Sequence, residues 1–156
     1  NASATYKNFD FSMNWIGSFG AKVYDGFRSL VDRFDDDSNY RTGVQPWTPE
    51  NPNTSFPRIV RGTTLNSRGD SDRWLEDGSF VRLKYIGIGY SLPDSALKHI
   101  GFSQVRLTLS AQNIITFTGY KGLDPEFNNS NIFQRGVDVG SFPNVKTYSF
   151  GVNFSF

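Results

Sequence analysis

Cysteine is absent from the 156 residues, and His99 is the one histidine. The chain therefore has no disulfide framework, no thiolate metal site and no cysteine nucleophile. A single histidine also excludes a metal site built from several imidazoles. No run of about 18 apolar residues occurs, which excludes a transmembrane helix. Positive and negative charges nearly balance, at a formal net charge of +1, so the composition predicts no nucleic-acid partner.

Aromatic residues are abundant instead, at 16% of the chain, and this composition suits a pleated sheet. The mean hydropathy is −0.44, which is typical of a soluble protein. Membrane barrel strands, however, alternate apolar and polar residues, so an averaged hydropathy does not detect them. Two interpretations follow: a segment of a membrane β-barrel, or a soluble β-sandwich that binds carbohydrate.

Alternation with a period of two residues predicts four strands, at about 5–16, 79–90, 103–117 and 144–156. Each is about 12–15 residues long, whereas a soluble strand has about 5–6 residues and a tilted membrane strand about 9–11. Strand length therefore favours the membrane. In the second strand the phase of the alternation changes. Val81, Leu83 and Tyr85 are odd-numbered apolar positions, whereas Ile86 and Ile88, which follow them, are even-numbered. Either a bulge or an apolar patch on the lumen side near 87 explains the change.

The connections alternate in length. Residues 17–78 and 118–143 form long loops, and residues 91–102 form a short turn. Outer-membrane barrels have long extracellular loops and short periplasmic turns. The pattern predicts an antiparallel, all-β transmembrane barrel segment with both long loops outside the cell. Helical spacing predicts a helix over Val23–Phe34 in the first loop, and a short helix that ends at Gly101 in the turn.

Four strands leave two open edges, and lipid does not tolerate unpaired backbone groups. The smallest single-chain barrels have about 8 strands. The residues alone leave two solutions open, because the chain either completes a larger barrel or assembles with copies of itself.

Several long motifs resemble one family, the SusC/RagA-type TonB-linked outer-membrane proteins of Bacteroidetes. The motifs are the stretch 71–84 (SDRWLEDGSFVRLK), Gly89–Pro93, Ala111–Asn113 and Phe117–Glu126. The resemblance implies a 22-stranded barrel with an N-terminal plug, of which this chain supplies the last four strands. It also implies import of oligosaccharides or peptides, energised through TonB, under a SusD-like lipoprotein lid.

Candidate functional residues fall into three groups. Candidates for substrate or lid contact are Trp47, Trp74 and Tyr120, whose rings suit sugar stacking, and Asp124. For the three rings, packing within the loops or a position in the interfacial aromatic belt is the alternative. The side chains expected to face the lumen are Arg82, Lys84, Arg106, Gln112 and Asn153. The alternating residues of the last strand resemble the C-terminal signal that the barrel-assembly machinery reads: Tyr148, Phe150, Val152, Phe154 and Phe156.

Nothing in the sequence indicates an enzyme or a resident cofactor. The acidic run Asp35–Asp37 offers hard oxygen ligands, so calcium in the loops or in the lid partner is an open alternative to a solvated charge run. The expected partners are the rest of the same barrel and its plug, the lipoprotein, the TonB complex, the assembly machinery and outer-membrane lipid.

Overall fold

The computed structural model describes residues 1–32, 41–60, 71–127 and 131–156. The chain divides into two units. One contains Asn1–Phe19, Ser79–Gly119 and Asn144–Phe156, and the other contains Gly20–Gly78 and Tyr120–Pro143. The elements in chain order are β1 (Ala2–Tyr6), β2 (Phe9–Ser18), β3 (Lys22–Asp25), α1 (Gly26–Val31), β4 (Leu75–Asp77), β5 (Phe80–Ser91), α2 (Asp94–Ile100), β6 (Gln104–Thr118), β7 (Val137–Asp138) and β8 (Thr147–Ser155).

The first unit is one antiparallel sheet with the strand order β1-β2-β5-β6-β8. Its three central strands contain 10, 12 and 15 residues, well above the length of about 5–6 that is typical of soluble strands. The antiparallel all-β architecture predicted from the alternation is therefore confirmed.

The first predicted strand, 5–16, is wrong in its bounds, because the structure has a hairpin there. Strand β1 ends at Tyr6, a turn at Lys7 and Asn8 reverses the chain, and β2 pairs back along β1. Lys7 adopts a left-handed conformation with a φ of +53°, which is uncommon for a residue with a side chain. The side-chain amide of Asn8 donates to the carbonyl of Ser91, 2.9 Å away, which ties the turn to the end of β5. The sheet consequently has five strands rather than four.

A bulge in β5 explains the phase change that the sequence shows. The pairing of β5 with β2 shifts by one residue, since Tyr85 lies opposite Asn14 but Leu83 lies opposite Trp15. The pairing with β6 is also irregular between Leu83 and Tyr85. The bulge returns the apolar residues before and after it to the same face, so the alternative of an apolar patch on the lumen side is wrong. It also places Tyr85 on the face opposite Leu83, which corrects the grouping expected from the sequence.

The second unit contains a three-stranded sheet in the order β4-β3-β7. Strand β3 pairs antiparallel with β4 and parallel with β7. Strands β3 and β4 belong to the predicted loop 17–78, whereas β7 belongs to the predicted loop 118–143. The two long connections therefore fold together into one unit.

Helix α1 begins later than the sequence predicts. Val23, expected in the helix, lies in β3 opposite Glu76. The helix begins at Gly26, where the Asp25 carboxylate accepts the Arg28 N–H at 2.8 Å as an N-cap. Phe34, the predicted helix end, lies outside the described residues. The error arises because a short strand followed by a short helix produces apolar spacing similar to that of one longer helix.

The short turn agrees with the sequence. Helix α2 follows Pro93 and ends at Gly101, which has a φ of +75°. Among the described residues, no helix has the length and apolar character needed to cross a membrane.

Candidate functional site

One face of the five-stranded sheet is apolar in every strand. The cross-strand partners Phe9 and Tyr90, Leu107 and Val152, and Leu109 and Phe150 lie side by side on it. Exposure on this face is high, at 58% for Leu109 and 70% for Phe150. A β-sandwich would bury such residues between its sheets. An exposed apolar surface of this kind instead marks contact with lipid or with another protein.

The apolar face continues past the bulge. Trp15 and Phe117 stack with ring centroids 6.4 Å apart and an interplanar angle of 14°. They come from β2 and β6, the strands that pair with β5 on either side. On β5, Leu83 lies opposite Trp15 and Val81 lies opposite Phe117. The indole N–H of Trp15 donates to the Met13 sulfur, which places both residues on the same side of β2.

The other face of the sheet is polar and ordered in rows across the strands. One row contains Asn14, Tyr85, Gln112 and Thr147, and the next contains Ser12, Gly87, Ser110 and Ser149. A further row contains Asp10, Gly89, Thr108 and Gly151, and the last contains Ser91, Arg106 and Asn153.

An ion pair crosses the polar face. The Arg106 guanidinium donates to the Asp10 carboxylate at 2.8 Å, although β5 separates their strands. Gly89 makes this crossing possible, because a Cβ at that position would lie 2.5 Å from an Asp10 carboxylate oxygen. Both charged side chains are about one-third exposed, at 33% and 37%.

The predicted lumen-facing residues gather on this polar face with one exception. Arg106, Gln112 and Asn153 occupy its rows. Arg82 lies opposite Thr116 and donates to its hydroxyl at 2.8 Å, and it is buried. Lys84 lies in the β5 bulge, where the register of both neighbouring ladders shifts between Leu83 and Tyr85.

A second cluster, in the unit formed by the long loops, consists of buried carboxylates paired with arginine. The Asp32 carboxylate is 1% exposed and accepts two hydrogen bonds from the Arg41 guanidinium, each 2.6 Å. Arg28 also lies 3.3 Å from Asp32 and forms an ion pair with Glu76. Burial raises the pKa of Asp25, an effect that the hydrogen bond and charge of Arg28 oppose.

Tyr120 and Asp124, predicted as substrate contacts, are buried in the same unit. The Tyr120 hydroxyl donates to the Asp138 carboxylate at 2.7 Å, and burial with this bond raises the pKa of Tyr120. The second Asp138 oxygen accepts the N–H groups of Gly140 and Ser141 at 2.9 and 3.2 Å. The Asp124 carboxylate accepts the Glu126 N–H at 2.9 Å. These bonds give Tyr120 and Asp124 structural roles within the loops.

The two predicted loop tryptophans differ in exposure. Trp74 is 1% exposed, and the guanidinium carbon of Arg73 lies 4.6 Å from its ring centroid, so the ring offers no face to a ligand. This is the loop packing that the sequence left as an alternative. Trp47 is 37% exposed, and its backbone N–H donates to the Phe56 carbonyl at 3.1 Å. Sugar stacking remains a prediction for Trp47.

The last strand ends in an aromatic cluster. Phe102 lies 5.7 Å from Phe154 and 5.4 Å from Phe156 between ring centroids. Tyr148, Phe150, Val152 and Phe154 share the apolar face of β8 and are exposed there. The assembly-signal role of these residues remains a prediction.

No group of three His, Asp or Glu side chains within 1–32, 41–60, 71–127 and 131–156 is arranged to hold a metal ion. The acidic run Asp35–Asp37, the calcium alternative, lies outside the described residues.

Sequence reasoning missed two features of the polar face. It assigned no role to Asp10, and it grouped Tyr85 with apolar residues. Gly87 and Gly89, alternate residues of β5, are the signal that could have revealed both features. Two glycines on one face of a strand leave room for side chains of the adjacent strands to cross that face.

Known proteins resemble the chain over its whole length. The TonB-dependent receptor P3 of Formosa agariphila is 39% identical over 167 residues, covering 100% of this chain. The TonB-dependent receptor SusC of Bacteroides thetaiotaomicron is 31% identical over 157 residues, covering 97% of this chain. This chain spans only 16% and 14% of these two receptors. No protein-family model matches the chain.

Solved structures also resemble the chain over nearly its whole length. The RagAB peptide transporter superposes with a TM-score of 0.80 and 26% identity, covering 99% of this chain and 16% of that one. The RagAB peptide importer in its closed-closed state superposes with a TM-score of 0.78 and 25% identity over the same shares.

Proposed function

Because the chain is related over its whole length to TonB-dependent receptors of the SusC/RagA type, we propose that it forms part of the barrel wall of an outer-membrane nutrient importer. The observation that carries this proposal is the register of the sheet. It assembles apolar residues from β2, β5, β6 and β8 on one exposed face and polar residues on the other. Such a sheet suits hydrocarbon on one side and a wet interior on the other.

Further strands are part of the proposal. Strands β1 and β8 are the two edges of the sheet and do not pair with each other. Unpaired edges are not tolerated in the hydrocarbon of a bilayer, so other strands close the barrel. The share of about one-sixth that this chain covers in its relatives supports closure by a longer polypeptide over assembly from copies.

The unit built from Gly20–Gly78 and Tyr120–Pro143 belongs, in this proposal, to the extracellular side, and the turn containing α2 faces the periplasm. Import is powered through a TonB complex, and a SusD-like lipoprotein closes the extracellular opening. The similarity of the chain to SusC and to the RagAB transporter supports the lipoprotein partner. The cargo is an oligosaccharide, as the family resemblance implies, or a peptide, by analogy with the RagAB peptide transporter.

The test uses the complete protein in its native membrane. We expect it to partition with the outer membrane, to require detergent for purification, and to migrate faster on gels before heating than after. Cells lacking it should lose uptake of one class of labelled cargo, either oligosaccharides or peptides, and a protonophore should abolish that uptake in wild-type cells. A monomer that stays soluble without detergent, with Leu109 and Phe150 protected from solvent, would contradict the proposal.

A further inference from the structure

We propose that the polar face of the sheet carries a binding subsite for one ring of a neutral sugar, with Tyr85 as the aromatic platform. This inference rests on the proposed function, because it requires the polar face to line the interior of an importer. It narrows the cargo to neutral saccharides at this subsite. None of the residues singled out from the sequence for substrate contact takes part in it.

The bulge in β5 is the first step of the argument. Without it, Tyr85 would share the apolar face with Val81 and Leu83, as the alternation alone suggests. The shifted register instead sets Tyr85 directly opposite Asn14 of β2 and Gln112 of β6. Bulges commonly re-aim a side chain beside a functional site, and this one turns an aromatic ring from the apolar face to the polar one.

The absence of a side chain at Gly87 is the second step. The ring carbons and hydroxyl of Tyr85 occupy the space that a Cβ of Gly87 would need, with its Cζ 2.8 Å from that position. The ring is therefore held over the strand backbone. It remains 37% exposed. A hollow of about 250 Å³ beside it is lined by Ser3, Ser12 and Asn14 together with Asn1, Ala2 and Met13.

The chemistry around the ring identifies the ligand class. Amide side chains of Asn14 and Gln112 flank Tyr85, and hydroxyls of Ser12 and Ser110 flank Gly87. These groups both donate and accept hydrogen bonds, as sugar hydroxyls do. An aromatic face suits the C–H face of a pyranose. Sites that combine apolar contact with a few placed polar groups are typical of small-ligand binding.

Charge favours a neutral sugar over a peptide. The two rows that contain Tyr85 and Gly87 hold no charged side chain. Three charged groups lie in the neighbouring rows. Asp10 and Arg106 neutralise each other, and Arg82, beyond the bulge, is buried and donates to the Thr116 hydroxyl. Lys84 lies in the bulge, outside both rows. A site for peptide termini would place an unpaired charge here, and the rows do not.

The experiment measures binding by the saturation-transfer NMR signal of each ligand, with the complete protein in detergent. The ligands, at millimolar concentration, are methyl glucoside, methyl mannoside, methyl galactoside and the tripeptide Ala-Ala-Ala. At least one pyranoside should give a signal. Tyr85→Ala should reduce that signal about three- to tenfold, the range expected for one aromatic contact. Tyr85→Phe should retain it, because the ring remains. Tyr85→Leu keeps bulk without aromaticity and should reduce the signal as Tyr85→Ala does. An unchanged heat-dependent gel shift in both variants excludes a folding defect.

Tyr6→Ala is the matched control. Tyr6 is an exposed tyrosine opposite Phe9 on the apolar face of the same sheet, and its removal should leave the signal unchanged. Signals independent of Tyr85 for every pyranoside, or no pyranoside signal at all, would overturn the subsite. A signal dependent on Tyr85 from the tripeptide alone would overturn the sugar assignment. The heat-dependent gel shift of the same samples reports the barrel separately, so a folded barrel without the subsite leaves the proposed function standing.

Discussion

Arg106 and Asp10 form an ion pair across an intervening strand, and Gly89 leaves the space in which they meet. The pair links β2 to β6 directly, in addition to the hydrogen-bonded ladders of each with β5. It lies on the polar face beside a hollow of about 480 Å³ that includes Lys7, Asn8 and Asp94 in its lining.

Substitution of Gly89 should therefore disrupt this link. Gly89→Ala places a methyl group 2.5 Å from one Asp10 carboxylate oxygen and 2.7 Å from the other, so the two side chains must separate. We expect a lower urea midpoint for unfolding in lipid vesicles. Gly119→Ala is the control, because its Cβ would meet no heavy atom within 4 Å. Equal midpoints for the two variants would show that the crossing contributes nothing. High salt should narrow the difference between the urea midpoints of the two variants, because salt screens the partly exposed charges of Asp10 and Arg106.

Neighbouring residues of β6 test the assignment of the two faces. Leu109 lies on the apolar face and Ser110 on the polar face. In the complete protein in vesicles, Leu109→Arg should lower the free energy of unfolding by about 2–4 kcal/mol, the cost of a cation at the bilayer midplane. Ser110→Arg should cost far less, because its side chain enters the wet interior. The measurement is urea unfolding, monitored by tryptophan fluorescence. A larger loss for Ser110→Arg than for Leu109→Arg would reverse the assignment of the faces.

Tyr120→Phe tests the bond that holds the second long loop. The change removes the donor to one oxygen of the buried Asp138 and keeps the ring, so the carboxylate loses a partner. An unsatisfied buried acceptor costs about 1–3 kcal/mol. We expect faster hydrogen exchange at the Gly140 and Ser141 amides, which the other Asp138 oxygen binds. Tyr148→Phe, at an exposed position, should leave that exchange unchanged. Identical protection in both variants would exclude a role for the bond.

Asp25 should make the loop unit less stable as pH rises. Burial raises its pKa above the ordinary value of 3.8, so the folded unit favours the protonated acid. This contribution to stability is complete below the unfolded pKa and is lost as pH rises through the raised one. Asp25→Asn keeps an oxygen for the Arg28 N–H and removes the charge, so it should stabilise the unit above that pKa and flatten its pH dependence. Protease resistance of the loop unit between pH 4 and 7 measures this. A variant with the wild-type pH profile would assign the dependence to other groups.

Much of the sheet was predictable from the sequence because alternation is a local signal. The apolar residues of β6 and β8 alternate without interruption, and their predicted faces agree with the observed pairing of Leu107 with Val152. Helix α2 was equally local, since Pro93 begins it and Gly101 ends it. Such signals depend on neighbouring residues along the chain and need no knowledge of the partner strand.

The errors arose where partners distant in sequence decide the outcome. The hairpin at Lys7 preserves the alternation on both sides of the turn, so the pattern of residues 5–16 resembles one strand. For Trp74 and Tyr120, aromatic residues in polar stretches, the sequence left sugar stacking and loop packing open. Their burial depends on the folding of two loops into one unit, and no local pattern records that event.

The order of residues along the chain determined that each long strand has one apolar and one polar face, because successive side chains of a strand point to opposite sides. Tertiary structure alone decided on which face Tyr85 lies, that Gly89 lets Asp10 reach Arg106, and that the loop carboxylates are buried. The first two outcomes depend on register, which is a property of two strands together, and the third depends on two loops that fold into one unit.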